Sequence, residues 1–136
     1  MAAALADGSS VLVGAGLSDD SEAMADCLRA LGARVEVGGG PEAPEVEVTG
    51  LAGRPRGPAS VFTRLSGTTS RFVTPVAALA GAPVRVDGAA PMRARPMGDL
   101  LTALRALGVD VVDEGVPGHL PVTVTGPPRG RRVDVA

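Results

Sequence analysis

The sequence predicts an α+β fold assembled from a repeated β-α-β-α-β-β unit, and three observations carry that expectation. Apolar residues recur at helical spacing in two long runs. Seven short β-rich runs surround them, with Gly or Pro at nearly every junction. The pattern of residues 26–37, DCLRALGARVEV, returns as TALRALGVDVVD over residues 102–113, so the chain contains an internal repeat.

Each element has its own local cause. Over residues 21–31, Met24, Cys27, Leu28 and Leu31 fall three, four and seven apart, behind the acidic pair Asp19-Asp20 and a cap at Ser18 or Ser21. That is a helix. Another begins with Pro96 at a first helical position, and Met97, Leu100, Leu101, Leu104 and Leu107 then line one face until Gly108 stops it. Between them, residues 68–80 read as a third helix with Ser66 or Gly67 at its start, kinked or shortened by Pro75, which lacks a backbone donor. Strands are expected over 10–13, 34–37, 45–49, 59–63, 83–87, 109–112 and 121–125, and solvated loops over 38–44 and 50–58.

Aligning the two copies of the repeat gives a full β-α-β-α-β-β unit for residues 59–126. Residues 1–50 give only β-α-β-β, a partial repeat, and residues 51–58 form the linker loop. Residues 127–136 read as the start of a further repeat, with Arg132 to Val135 as its first strand. Both ends are expected to be cut relative to that architecture.

Composition excludes several functions. The 136 residues contain 13 basic and 15 acidic side chains, a net charge of −2, with no broad basic face for nucleic acid. No apolar run approaches a membrane span, and residues 1–6 lack the charged head and cleavage pattern of a secretory signal, so the expectation is a soluble cytoplasmic protein. Lys, Asn, Gln, Ile, Trp and Tyr are absent, so every cationic site must use Arg or His and the core must rest on Ala, Val and Leu. The single Cys27 sits on an apolar helix face and reads as a core residue. His119, among Gly118, Leu120 and Pro121, reads as a surface histidine, and Asp19-Asp20 as helix-entry charge rather than a metal pair.

Two segments carry chemistry. Leu65-Ser66-Gly67-Thr68-Thr69-Ser70-Arg71 and Pro91-Met92-Arg93-Ala94-Arg95-Pro96-Met97 each set a cation beside backbone donors opening a helix, an arrangement suited to phosphate or carboxylate. A side chain at position 67 would crowd a ligand approaching the helix amides, and Arg95 offers a planar fork for an oxyanion.

These two segments, inside that repeat, resemble the enolpyruvyl transferases, specifically the 5-enolpyruvylshikimate-3-phosphate synthase branch, 3-phosphoshikimate 1-carboxyvinyltransferase. Residues 66–71 are similar to the family's Ala-Gly-Thr-x-x-Arg run, with Leu65 where Asn is often found, and residues 92–97 to its basic segment ending in Arg-Pro-Ile or Arg-Pro-Met. The resemblance implies an inside-out α/β barrel with helices buried and sheets outside. It implies transfer of the enolpyruvyl group of phosphoenolpyruvate to the 5-hydroxyl of shikimate 3-phosphate, with release of phosphate, in aromatic amino acid biosynthesis. On that resemblance Gly67, Thr68 and Arg95 bind phosphoenolpyruvate and Arg71 supports the loop. It assigns no catalytic residue, metal or cofactor to this chain.

The same resemblance implies that the family's Gly-Ser-Lys-Ser segment lies before Met1 and its Ser-Ser-Gln acceptor motif after Ala136. A complementary polypeptide segment is then a further partner, and surfaces that it would cover are expected to be exposed. Three readings stand open: part of a synthase, a free oxyanion-binding module, or a structural remnant of the fold.

Overall fold

The computed structural model describes residues 1–130 and 132–133. In chain order these form helix α1 (Ala2–Leu5), strand β1 (Ser9–Val13), helix α2 (Asp19–Ala30), strands β2 (Arg34–Gly40), β3 (Ala43–Thr49) and β4 (Ala59–Phe62), then helix α3 (Gly67–Ala77) with a closing 3-10 turn Ala78–Ala80. Strand β5 (Val84–Asp87), helices α4 (Ala90–Arg93) and α5 (Gly98–Ala106), and strands β6 (Asp110–Asp113) and β7 (Val122–Thr125) complete the chain. The strand expected over 132–135 extends outside the described residues.

Two sheets result. The first has the order β1-β3-β2, antiparallel throughout; the second has the order β4-β5-β7-β6, in which β4 and β5 are parallel and the rest antiparallel. The β4-α3-β5 crossover places α3 against β5 and β7, as parallel neighbours joined by a helix require. Helix α2 packs on β2 of the first sheet and on β4 and α3 of the second unit, so helices lie between the sheets.

The repeat seen in the sequence recurs in the hydrogen bonding. The guanidinium of Arg29 donates to the Val35 carbonyl, and that of Arg105, in the second copy, donates to the Val111 carbonyl. Gly32 and Gly108 end the corresponding helices at φ +99 and +83, where the left-handed backbone favours a residue without Cβ.

Packing follows the composition. The main core joins Leu31, Val61, Val73, Val84, Val86, Met92, Leu101, Leu120, Val122 and Val124, while Phe62 and Phe72 are both exposed. Density is therefore reached with branched aliphatic chains and buried methionines rather than rings. Cys27 is part of this core; burial, then the neighbouring Asp26, pushes its thiol up to about 11.

The structure departs from expectation at several boundaries. Pro96 lies outside α5, which starts at Gly98: Met97 is the cap residue at φ −130 and its amide donates to the Gly118 carbonyl, so the first helical bond is from the Leu101 amide to the Met97 carbonyl. Helices α1 and α4, of 4 residues each, are too short to show an apolar period. Residues 38–40 and 43–44 are not loop but the far end of the β2-β3 hairpin, where Gly39 at φ +76 accommodates the bend against Ala43. Helix α3 runs through Pro75 and stops at Ala77.

Candidate functional site

The turn from β4 into α3 is fixed by buried hydroxyls. Ser66 caps the helix by accepting from the Thr69 amide at 3.1 Å, and the Ser70 hydroxyl donates to the Ser66 carbonyl at 2.8 Å. Thr63 joins this ladder: its Oγ1 lies 2.7 Å from Ser70 Oγ and 3.1 Å from the Asp87 carbonyl oxygen, so the two hydroxyls share their protons with each other, Ser66 and Asp87, while the Thr63 amide donates to the same Asp87 carbonyl at 2.8 Å and ties the turn to β5. All four residues named in this ladder, Thr63, Ser66, Thr69 and Ser70, are at most 1% exposed. A helix start so anchored leaves the N–H groups of Gly67 and Thr68 at its tip without an intrahelical acceptor.

Arg64, in the middle of that turn, adopts φ +53, uncommon for a residue with a side chain. Its guanidinium reaches α2 and pairs with Asp19 at 2.7 Å, Glu22 at 3.1 Å and Asp26 at 2.8 Å. Those hydrogen bonds hold the Arg64 guanidinium more firmly protonated than usual. The charge of Asp19 thus serves both helix entry, under the Ser18 cap with its reciprocal Ser21 bond, and the turn that precedes α3. The spacing of Asp19, Glu22 and Asp26 along one face of α2 was visible in the sequence; their partner, 38 to 45 residues away, was not.

The second segment enters from the other side. The two arginines of Met92-Arg93-Ala94-Arg95 have different fates. Arg93 forks onto Asp87, with Nε to Oδ1 at 2.8 Å and Nη2 to Oδ2 at 2.7 Å. Arg85 adds a bond to the same carboxylate at 3.0 Å and one to Glu114 at 2.7 Å. Burial pushes the Asp87 carboxyl up, but the bonds from Arg93, the Gly88 amide and Arg85 outweigh it and hold the group below the usual carboxylate range. Arg93 is therefore a framework residue. Arg95, two residues on and exposed, makes no side-chain hydrogen bond or ion pair among the described residues. The buried Met92 and Met97 anchor the segment on either side of it.

The two segments meet at Gly67. A Cβ placed there would lie 3.1 Å from Nη1 of Arg71 and 3.2 Å from Nη1 of Arg95, so the glycine sits beneath two guanidinium groups. Arg71 bridges the segments, donating to the Gly67 carbonyl at 3.2 Å and to the Pro96 carbonyl at 3.0 Å. Gly67, Thr68, Arg71 and Arg95 line one open cleft of about 520 Å³ with Asp20, Leu65 and Phe72. The structure thus brings together the three residues that the sequence singled out. His119 lies in the turn before β7, half-buried and bonded through Nδ1 to the Pro117 carbonyl at 3.0 Å.

Comparison with known proteins now bears on this arrangement. A family model described as EPSP synthase (3-phosphoshikimate 1-carboxyvinyltransferase) matches residues 1–136. The chain belongs to the EPSP synthase family. It is similar to the 3-phosphoshikimate 1-carboxyvinyltransferase of Nostoc punctiforme, 42% identical over 125 residues, which are 91% of this chain and 29% of that protein. The corresponding protein of Rhizobium leguminosarum is 46% identical over 125 residues, again 91% of this chain and 28% of that one. Among solved structures, an EPSP synthase from Acinetobacter baumannii superimposes with a TM-score of 0.85 at 26% identity, covering 98% of this chain and 30% of that one. The chain spans less than a third of the length of these EPSP synthase relatives. Among the described residues no helix is long and apolar enough to cross a membrane.

Proposed function

We propose that this chain forms the phosphoenolpyruvate-binding part of an EPSP synthase, which moves the enolpyruvyl group of phosphoenolpyruvate to the 5-hydroxyl of shikimate 3-phosphate and releases phosphate. The observation that carries the proposal is the meeting of the α3 tip and Arg95 over Gly67. A helix N-terminus offers amide donors and the positive end of its dipole; Arg95 adds a planar fork whose charge no carboxylate neutralises among the described residues. Thr68 contributes a hydroxyl at the same tip, and the missing side chain of Gly67 leaves room for an oxyanion between amides and guanidinium. Arg71 holds the two segments at fixed spacing. In this reading the residues bind and orient the donor. Acceptor contacts and proton transfer are assigned to no residue of this chain.

The organisation is part of the proposal: residues 1–50 a partial repeat, 51–58 a linker, 59–126 a full repeat and 127–136 the start of a further one. Residues 131 and 134–136 of that last segment lie outside the described structure.

The test is a titration of the isotopically labelled chain with phosphoenolpyruvate, followed by amide NMR. Saturable shifts are expected at Gly67 and Thr68, weakened at least tenfold by Arg95→Ala, consistent with about 1.5–3 kcal/mol for a hydrogen bond to a charged group. An unshifted tip, or equal affinity in the variant, overturns the reading. With phosphoenolpyruvate and shikimate 3-phosphate together, the isolated chain is expected to release no phosphate; acceptor-dependent release would show that it holds the missing groups.

A further inference from the structure

Arg95 is exposed, and an exposed side chain takes its direction from the backbone beneath it. What holds residues 93–97 therefore decides where its guanidinium lies. On the far side of Arg95, the Met97 amide donates to the Gly118 carbonyl at 2.8 Å. The Gly118 amide in turn donates to Asp113 Oδ1 at 3.2 Å, and Asp113 Oδ2 accepts from Arg105 of α5 at 2.6 Å. A Cβ at Gly118, itself at φ +77, would lie 3.3 Å from the Gly98 Cα, so the turn before β7 packs directly on the start of α5. On the near side, Arg93 forks onto Asp87, Asp87 also accepts from Arg85, and Arg85 donates to Glu114 Oε2 at 2.7 Å. Glu114 Oε1 accepts from Thr123 of β7 at 2.7 Å, and the Glu114 amide donates to the Pro121 carbonyl at 3.1 Å. Two consecutive carboxylates at the end of β6 thus reach the Arg95 segment from both ends.

The internal repeat supplies a comparison. Residues 26–37 correspond to 102–113, so Val37 and Gly38 stand in the first copy where Asp113 and Glu114 stand in the second. Arg29, the counterpart of Arg105, donates to the Val35 carbonyl and finds its carboxylate on its own helix, at Asp26, 2.9 Å away. Arg105 makes the equivalent bond to the Val111 carbonyl but takes its carboxylate from Asp113. The helix–strand unit therefore folds without acidic residues at its strand end, and the pair occurs in the copy that carries Arg95.

We propose that Asp113 and Glu114 are positioning residues for the cleft, fixing the backbone of Arg95 from its two ends, a role that rests on the phosphoenolpyruvate reading of that cleft. Neither residue lines it, so Asp113 acts through Gly118 and Met97, and Glu114 through Arg85, Asp87 and Arg93.

The test is titration of phosphoenolpyruvate into the labelled chain, followed by amide NMR, which reads the affinity of folded molecules. Asp113→Ala and Glu114→Ala should each weaken binding at least about fivefold, because small misplacement of a binding group is costly. Asp113→Asn, whose amide oxygen can still accept from the Gly118 amide, should bind within about twofold of the parent chain. Val48→Ala, in the core under the first sheet, should lower the urea midpoint and leave the affinity unchanged. Without ligand, hydrogen exchange at the Met97 amide should quicken at least about fivefold in Asp113→Ala but not in Asp113→Asn. Parent affinity in both alanine variants, or an unchanged Met97 amide in Asp113→Ala, overturns the positioning role and leaves the reading of the cleft standing. An asparagine variant as weak as the alanine one also overturns it, because lost charge rather than the Gly118 contact would then be the cause. A parent chain that binds no phosphoenolpyruvate overturns the reading of the cleft, and the positioning role with it.

Discussion

Gly67→Ala separates the anion site from the fold. The added methyl lies 3.1 Å from Nη1 of Arg71 and 3.2 Å from Nη1 of Arg95, so each guanidinium end must yield by a few tenths of an ångström. Both are the far ends of long, exposed side chains, so the displacement costs little. Replacing glycine at the first position of α3 by alanine lowers the entropy of the unfolded chain and favours the helix, by about 0.4–1 kcal/mol. Net stability should therefore change by no more than about 1 kcal/mol. Binding should change more, because the methyl occupies the space between the amides and Arg95. Losing one charged hydrogen bond, at about 1.5–3 kcal/mol, weakens phosphoenolpyruvate binding roughly 10- to 150-fold. Urea unfolding followed by far-ultraviolet circular dichroism gives the first quantity, since the chain has no Trp or Tyr to report by fluorescence. The NMR titration gives the second. Unchanged affinity, or a stability loss above about 2 kcal/mol, refutes the reasoning.

Gly126→Ala should behave oppositely, since its Cβ collides with the Ala78 carbonyl and backbone must move; a loss of about 1–3 kcal/mol in urea unfolding is expected. Leu101→Ala, at a fully buried site, should cost about 2–5 kcal/mol in the same assay. Asp87 is held below its ordinary value, so its contribution is present above the unfolded carboxylate value of about 3.9 and is lost as pH falls through the depressed one; Asp87→Asn should flatten that acid limb. Cys27 is raised to about 11, so its contribution is complete below the unfolded thiol value of about 8.5 and fades as pH rises through 11. At pH 8 a disulfide reagent should label Cys27 only as fast as the chain opens.

What the sequence made legible was whatever repeats or has a short period. The Met24, Cys27, Leu28 and Leu31 spacing located α2, and the 26–37 and 102–113 copies marked a repeat whose units the structure shows as two sheets. The tip of α3 was legible because Ser66 and Gly67 are a cap and a space, both local properties. The partition of the arginines was not. Nothing in Arg93-Ala94-Arg95 says that the first residue forks onto Asp87 and the second has no such partner among the described residues, because that follows from where Asp87 at the end of β5 lies. Arg64 was missed for the same reason, as its three carboxylates belong to a helix more than 30 residues earlier. The length of the β2-β3 hairpin escaped because Gly38, Gly39 and Gly40 carry loop composition, whereas the backbone pairing with 43–45 is what makes them strand.

The distribution of charge favours the proposed anion site in a chain whose net charge is −2. Around it, Arg64, Arg85 and Arg93 each face carboxylates, so their fields largely cancel at short range. Arg71 is satisfied by two carbonyl oxygens, which accept hydrogen bonds without neutralising its charge. Arg95 has no partner among the described residues. Among the described residues, two guanidinium groups without a carboxylate partner and a helix N-terminus therefore converge on Gly67, in a cleft that Asp20 also lines. Pairing the neighbouring arginines is thus as much a part of the proposed site as leaving Arg95 without a carboxylate among the described residues. Were Asp87 removed, Arg93 would lose its carboxylate and become a competing cation two residues from Arg95, so Asp87→Asn is expected to broaden the proposed anion selectivity of the cleft.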